Sequence, residues 1–239
     1  GLVAAGFFES EEDIDNWYDQ SLLGGRPIPG DVKYKDISGP DGVPDGVIDD
    51  YDKTNIGSPM PKFTFGWTNT FRYKNFDLSV FINGSYGNKV YNYLSMKLTH
   101  MNSPWTNQLN AVNGRAQLVP INPNKVYEDG TMWYNDVSNV MVANPGASIP
   151  RATINDPNDN DRISDRYIED GSYIRLKNIS LGYTFPKKTI DKLGLSNLRI
   201  YANIQNLLTI TGYDGYDPEI GASTSSVNVY GLDNGRYPS

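Results

Sequence analysis

Phe63-Thr64-Phe65-Gly66-Trp67-Thr68-Asn69-Thr70-Phe71-Arg72-Tyr73-Lys74-Asn75-Phe76-Asp77-Leu78-Ser79-Val80-Phe81-Ile82-Asn83-Gly84-Ser85-Tyr86 is the stretch whose reading decides the fold. Its odd positions from Phe63 to Tyr73 are aromatic except Asn69, and its even positions are Thr, Gly or Arg. After Lys74-Asn75 the alternation resumes, with Phe76, Leu78, Val80, Ile82, Gly84 and Tyr86 on one face and Asp77, Ser79, Phe81, Asn83 and Ser85 on the other. Period-two alternation on both sides of a two-residue break is the signature of a β-hairpin, and Asn75 is the turn residue expected to tolerate positive φ.

A second pair of long strands follows. Tyr173, Arg175, Lys177, Ile179, Leu181, Tyr183 and Phe185 form one face of the first, and Leu198, Ile200, Ala202, Ile204, Asn206 and Leu208 one face of the second. Pro186 to Ser196 connects them compactly, with room for one helical turn. The connections alternate short and long: Lys74-Asn75, then roughly Gly87 to Gly171, then Pro186 to Ser196, then Thr209 onward. Short turns on one side and long loops on the other are the habit of membrane β-barrels, and aromatic residues at strand ends match their interfacial girdles.

The fold class expected is therefore all-β with minor helix: a partial transmembrane antiparallel β-barrel with long extracellular loops. A soluble β-sandwich would bury the same alternating faces, and strand length with loop asymmetry weighs against it. Four strands are too few to close a barrel, since the smallest of this type have about eight. The expected division is 1–61, an extracellular loop region with a short helix and acidic turns; 62–86, a barrel hairpin; 87–171, a long extracellular loop; 172–208, a second barrel hairpin; and 209–239, an extracellular loop with the terminal strand missing.

Composition agrees. Tyr (17) outnumbers Phe (8), there are 23 Gly and 15 Pro, and no Cys, which favours strands and turns over a helical core. The mean hydropathy of -0.52 hides membrane strands, because only alternate residues of such a strand meet lipid. A net charge of -7 with scattered Lys and Arg argues against nucleic acid as a partner. The opening Gly1-Leu2-Val3-Ala4-Ala5-Gly6-Phe7-Phe8 lacks the features of a signal peptide, so the chain is expected to start within a longer protein. From Glu9 to Gln20 a short acidic helix capped by Ser10 is expected, and Asp31 to Lys35 alternates like a short strand.

With the strands placed, several strings closely resemble the C-terminal region of SusC/RagA-type TonB-dependent transporters. They are Gly30-Asp31-Val32-Lys33-Tyr34-Lys35-Asp36, Asp45-Gly46-Val47-Ile48-Asp49-Asp50, Ile56-Gly57-Ser58-Pro59-Met60-Pro61 leading into the hairpin, and Glu169-Asp170-Gly171-Ser172-Tyr173-Ile174-Arg175-Leu176-Lys177-Asn178. Leu198-Arg199-Ile200-Tyr201 and Gln205-Asn206-Leu207 continue the likeness. The resemblance implies a barrel of about 22 strands in the Gram-negative outer membrane. It implies import of glycan oligosaccharides or peptides driven through a TonB complex, which would be contacted by an N-terminal region absent here, with a SusD-like surface lipoprotein as lid and outer-membrane lipid around the barrel. A soluble carbohydrate-binding β-domain and a glycan hydrolase are the alternatives.

Candidate sites are few. Asp36, Ser38, Asp41, Asp45, Asp49 and Asp52 space oxygen donors around Gly46 as a Ca²⁺ loop would, while Val43 stands where such a loop supplies oxygen. The other use of these residues is a run of solvated turns. Asn155-Asp156-Pro157-Asn158-Asp159-Asn160-Asp161 has no such spacing and reads as a loop. Tyr91, Trp105, Asn107 and Trp133 are the expected ligand contacts, since aromatic faces stack on sugars and amides bond hydroxyls; loop packing or lipoprotein contact would use the same residues. No catalytic residues are assigned: His100 is the single His, there is no Cys, and no Ser stands in a nucleophile elbow. The expectation is a non-enzyme.

Overall fold

The computed structural model describes residues 1–154, 156–220 and 230–235. In chain order the strands are β1 (Ala4–Phe7), β2 (Val32–Tyr34), β3 (Phe63–Tyr73), β4 (Phe76–Tyr86), β5 (Lys89–Asn92), β6 (Leu118–Pro120), β7 (Val140–Val142), β8 (Ile168–Asp170), β9 (Tyr173–Thr184), β10 (Arg199–Thr211) and β11 (Leu232–Asp233). The α-helices are α1 (Glu11–Asp15), α2 (Tyr93–Thr99) and α3 (Lys187–Ile190). None of the described helices is long and apolar enough to cross a membrane. The chain divides into two units, Gly1–Ile56 with Asn92–Ile168, and Gly57–Tyr91 with Glu169–Ser239.

The second unit is built on a four-stranded antiparallel sheet in the order β10-β9-β4-β3, so the four long strands neighbour one another in their chain order. β3 and β4 span the residues their alternation predicts, in unbroken register from Phe63↔Tyr86 to Tyr73↔Phe76. The turn differs in one respect: the left-handed residue is Lys74, at φ 53°, and Asn75 is not at positive φ. β10 begins one residue later than expected and runs on to Thr211.

Two bulges correct the expected face of β9. Phe81 pairs with Asn178 and Ile82 with Leu176, leaving Lys177 as an extra residue against β4. On the other side Gln205 pairs with Asn178 and Leu208 with Leu176, so Asn206 and Leu207 oppose Lys177. A bulge inverts the parity of every residue beyond it. Ile174 and Leu176 therefore join Ile179, Leu181 and Tyr183 on the apolar face, whereas Tyr173 and Arg175 lie opposite, beside Ser85 and Asn83. This removes the anomaly of cationic Arg175 on an apolar face. Asn206, at φ 51°, supplies the left-handed residue of the β10 bulge, a conformation Asn adopts more readily than most residues.

The resulting apolar face is continuous across four strands and open. Trp67, Ile82, Leu176 and Leu208 form one row across it, and Trp67 and Leu208 are each 54% exposed. Aromatic pairs sit at both ends: Phe63 on Tyr86 at 5.4 Å, and Phe76 on Tyr183 at 4.6 Å. The opposite face carries Thr70, Ser79, Ser180 and Asn203 in a polar row. Past β9, α3 and a 3-10 turn at Asp191–Leu193 fill the compact connection, which closes on Gly194 at φ 67°. The unit also holds a small sheet, β11-β5-β8.

The first unit joins what the sequence divided into separate regions, 1–61 and 87–171. β1 pairs antiparallel with β2, Leu2 exchanges backbone bonds with Ile163 and Asp165 at 3.1 Å, and Arg151 N donates to Gly30 O at 2.9 Å. Its core is Leu2, Val32, Tyr34 and Ile48, with Phe7, Trp17 and Leu23 packed against it. Ser10 caps α1 as expected, accepting from Asp13 N at 3.2 Å, and the acidic first turn of Glu11, Glu12 and Asp13 faces the positive end of the helix dipole. Helix α2 was not legible as a helix; Asn92 caps it through Ser95 N at 2.8 Å.

Candidate functional site

Three groups of side chains in the two units could carry function. On the polar face of the long sheet, Arg199 of β10 reaches over Gly182 of β9 to Asp77 of β4, with Nη2 to Oδ2 at 2.6 Å and Nε to Oδ1 at 3.2 Å. Farther along, Arg175 is 2% exposed and donates to Thr209 Oγ1 at 2.8 Å, to Glu219 Oε2 at 2.8 Å and to both carboxylate oxygens of Asp217. Lys177 donates to the same Glu219 oxygen at 2.6 Å. The segment that leaves β10 is thereby bound to the sheet by a buried guanidinium. Tyr213 anchors it further, donating its hydroxyl to Asp233 Oδ2 at 2.5 Å; burial and that carboxylate push the phenol well above its ordinary pKa. Of the expected 209–239 region, residues 221–229 and 236–239 lie outside the described residues.

The acidic segment forms a knot of carboxylates on backbone amides. Asp52 accepts from Ile37 N at 2.6 Å, Ser38 N at 3.1 Å and Asp49 N at 2.8 Å. Asp36 accepts from Gly46 N at 2.7 Å, Asp45 from Val47 N at 3.1 Å and Asp49 from Tyr51 N at 2.7 Å. Asp36, Ser38, Asp45, Asp49 and Asp52 are thus tied into one segment around a 3-10 turn at Asp50–Asp52, and Asp41 is exposed. Asp36 Oδ1 is buried without a hydrogen-bond partner.

Of the expected ligand contacts, Trp105, Asn107 and Trp133 belong to the first unit. Trp105 is 92% exposed and Asn107 is exposed. Trp133 packs edge-on against Tyr134 at 5.7 Å and lines a cleft of about 320 Å³ with Arg115, Gln117 and Arg151. A second cleft, about 430 Å³, is lined by Met101, Tyr134 and Ile154. Tyr91 lies on β5, in the other unit.

Sequence reasoning missed the most connected group. Residues 156–161 are a loop, as expected, but one whose buried Asn158 and Asn160 amides satisfy the outer edge of β2; Asn155 is outside the described residues. Asn160 Oδ1 accepts from Val32 N at 2.7 Å, and Gln20 Nε2 and Asn158 Nδ2 donate to Val32 O at 2.9 and 3.1 Å. Asn160 Nδ2 also donates to Asp31 at 3.0 Å and to Asp156 at 2.6 Å, and Asp31 pairs with buried Arg151 at 2.6 Å. Burial, outweighing Arg151, leaves the Asp31 carboxyl above its ordinary range.

His100, the C-cap of α2, closes this network. Its Nε2 lies 2.9 Å from Asp156 Oδ2, and its Nδ1 lies 3.1 Å from Asp161 Oδ2. Burial works against a charged ring, yet the Asp156 and Asp161 carboxylates outweigh it and hold the pKa up to about 9. The His100 hydrogen bond in turn holds Asp161 well below the usual carboxylate range. The signal available in the sequence was the Asn and Asp density itself, which turns can explain equally well.

Comparison with known proteins identifies the scaffold. TonB-dependent receptor P3 of Formosa agariphila is 35% identical over 223 residues, which cover 91% of this chain and 19% of that receptor. The chain belongs to the TonB-dependent receptors of the SusC/RagA type. TonB-dependent receptor P26 of the same organism is 32% identical over the whole chain, and TonB-dependent receptor SusC of Bacteroides thetaiotaomicron is 29% identical over 81% of it. No protein-family model matches this receptor chain. The structure of the RagAB peptide transporter superimposes on 99% of it with a TM-score of 0.61 at 16% identity, a likeness of fold. The receptor chain spans about a fifth of the length of the first two relatives. TonB-dependent receptors are outer-membrane proteins, and the relatives are receptors and transporters rather than enzymes.

Proposed function

We propose that this chain is a wall segment and surface region of an outer-membrane barrel that imports oligosaccharides or peptides, drawing on energy relayed by a TonB complex and working with a SusD-like lipoprotein. One observation carries the reading: β3, β4, β9 and β10 are 11 to 13 residues long and present one continuous apolar, aromatic-edged face whose large side chains are left exposed among the described residues. Strands of about 9–11 residues span a bilayer when tilted, and so large an open apolar face is costly in water but satisfied by lipid. Among the described residues β3 and β10 are paired on one side only, so further strands from the same barrel would complete their ladders. In this reading the polar face lines the lumen, the lysine-bearing connection through α3 faces the periplasm, and the first unit lies outside the cell.

Trp105, Asn107, Trp133 and Tyr91 are the proposed substrate contacts, on aromatic stacking and amide bonding. Ca²⁺ is proposed for the acidic segment, where Asp36 Oδ1 and the exposed Asp41 and Asp45 carboxylates are the oxygens available to it. Calorimetry with Ca²⁺ on the receptor and its Asp45→Ala variant checks this, and equal heats reject it.

The transport reading is tested by uptake of labelled oligosaccharides and peptides into cells carrying the receptor, with TonB present or deleted. Accumulation that depends on TonB and falls with Trp133→Ala supports it. Uptake indifferent to TonB contradicts it.

A further inference from the structure

The structure assigns the cleft of about 320 Å³ lined by Trp133 to an acidic sugar, a uronate residue of an oligosaccharide held by its carboxylate on Arg115 and by its ring face on Trp133. This rests on the transport reading and deepens it, since it names the substrate class for one of the proposed contacts.

The cleft is built from two lengths of chain held side by side in the first unit. Arg115 forms a parallel bridge with Ile149, and Ala116 N donates to Ile149 O at 2.9 Å, which sets the run from Arg115 to Leu118 along the run from Ile149 to Ala152. Arg151 N donates to Gly30 O at 2.9 Å. Gly30 stands at φ 90°, and a Cβ there would lie 2.8 Å from that of Arg151, so the close approach that fixes Arg151 needs glycine. The 3-10 turn Trp133–Asn135 packs against β6 and β7 and supplies the aromatic wall.

Its charge singles the cleft out. Arg115 and Arg151 bring two guanidiniums to the lining and no carboxylate joins them there, in a chain of net charge -7. The two cations are not equivalent. Arg151 is 3% exposed, its Nε donates to Asp31 at 2.6 Å, and its Nη2 is buried with no hydrogen-bond partner among the described residues. One donor of that guanidinium is therefore unspent, at a cost that an acceptor in the cleft would remove. Arg115 is half-buried and has no ion pair among the described residues; its Nη1 donates to Val112 O at 3.5 Å, a long contact.

A planar carboxylate matches the fork of a guanidinium with two parallel N–H bonds. Trp133 and Tyr134 are exposed and offer ring surface for a sugar to stack on, and exposed Gln117 offers an amide to its hydroxyls. The cleft of about 430 Å³ lined by Met101 shares Tyr134 and Ala152 with this one, so the two adjoin, which suits a chain of sugars. A stacked ring that itself bears the carboxylate uses the guanidinium and the aromatic wall together, and an acidic peptide uses the guanidinium alone.

The experiment is calorimetric binding of oligogalacturonates, oligoglucuronates and oligomannuronates to the receptor carrying this chain, purified in detergent. Each is compared with its carboxyl-reduced counterpart, in which the acid has become a primary alcohol. At least one uronate should bind roughly 10–100-fold more tightly than its reduced form. Arg115→Gln should bring the two to the same affinity, and Trp133→Ala should weaken both. Wild type alone reads the acid-to-alcohol difference, so the comparison stands should a variant fail to fold. Equal affinity for every uronate and its reduced form, a preference that survives Arg115→Gln, or binding of oligoglutamate in place of the uronates overturns the proposal. TonB-dependent uptake of neutral oligosaccharides without uronate binding rejects the acidic class and leaves the transport reading standing, whereas uronate binding with uptake indifferent to TonB rejects transport alone.

Discussion

Arg199 and Asp77 meet across an intervening strand: the guanidinium on β10 crosses over β9 at Gly182 to reach the carboxylate on β4, at 2.6 Å. The crossing is possible only because Gly182 has no side chain. A Cβ there would collide with Arg199 Nη2 and lie 2.6 Å from Asp77 Oδ1. Three strands are thereby tied in one register, and a slip of a single residue in any of them would exchange its faces.

The first prediction separates the pair from its space. Both partners are partly exposed, so Arg199→Ala should change stability little, whereas Gly182→Leu must displace the pair and overpack the site, at about 1–3 kcal/mol. Urea unfolding of the receptor in lipid would rank the two variants. A larger loss from Arg199→Ala would show that the charge pair, not the open space above Gly182, governs the crossing.

A second prediction concerns the segment after β10. Arg175 and Asp217 are both buried, so Asp217→Ala leaves a guanidinium with Glu219 as its one anionic partner among the described residues and should destabilise by about 3–5 kcal/mol. The paired change Arg175→Met with Asp217→Leu should recover most of that. Limited proteolysis between Gly212 and Ile220 reports it: rapid cutting is expected in the single variant and slow cutting in the double.

The bulge makes a third prediction. Asn206 stands at φ 51°, so Asn206→Gly should be nearly neutral and Asn206→Val should cost about 1–2 kcal/mol, because a β-branched residue resists the left-handed region. Equal stability of the two variants would mean the bulge has moved.

These residues also mark how far the sequence could be read. β3 and β4 were legible to the residue because their alternation is unbroken, and the capped α1 because Ser10 precedes three acids. β9 was legible in extent but not in orientation: a bulge at Lys177 leaves no local trace, and only the partner strands reveal that Ile174 and Leu176, not Tyr173 and Arg175, continue the apolar face. The first unit was less legible still. Its core joins Leu2 to residues 163–165 and Val32 to Asn158 and Asn160, pairings of more than 120 residues' separation that no periodicity reports. The setting of His100 is not legible locally, because its carboxylate partners lie 56 and 61 residues away in a stretch that local chemistry assigns to turns.

The most direct test of the membrane-strand account is single-cysteine labelling along β9 and β4 in the receptor embedded in lipid, to which this chain contributes no native cysteine. Cysteines at Val80, Leu176, Ile179 and Leu181 should react with a bilayer-soluble reagent and be shielded from a water-soluble maleimide. Cysteines at Ser79, Asn83 and Ser180 should show the reverse, with the pattern changing parity at Lys177. Equal maleimide reactivity on both faces, or an alternation that runs through Lys177 without inversion, would contradict it.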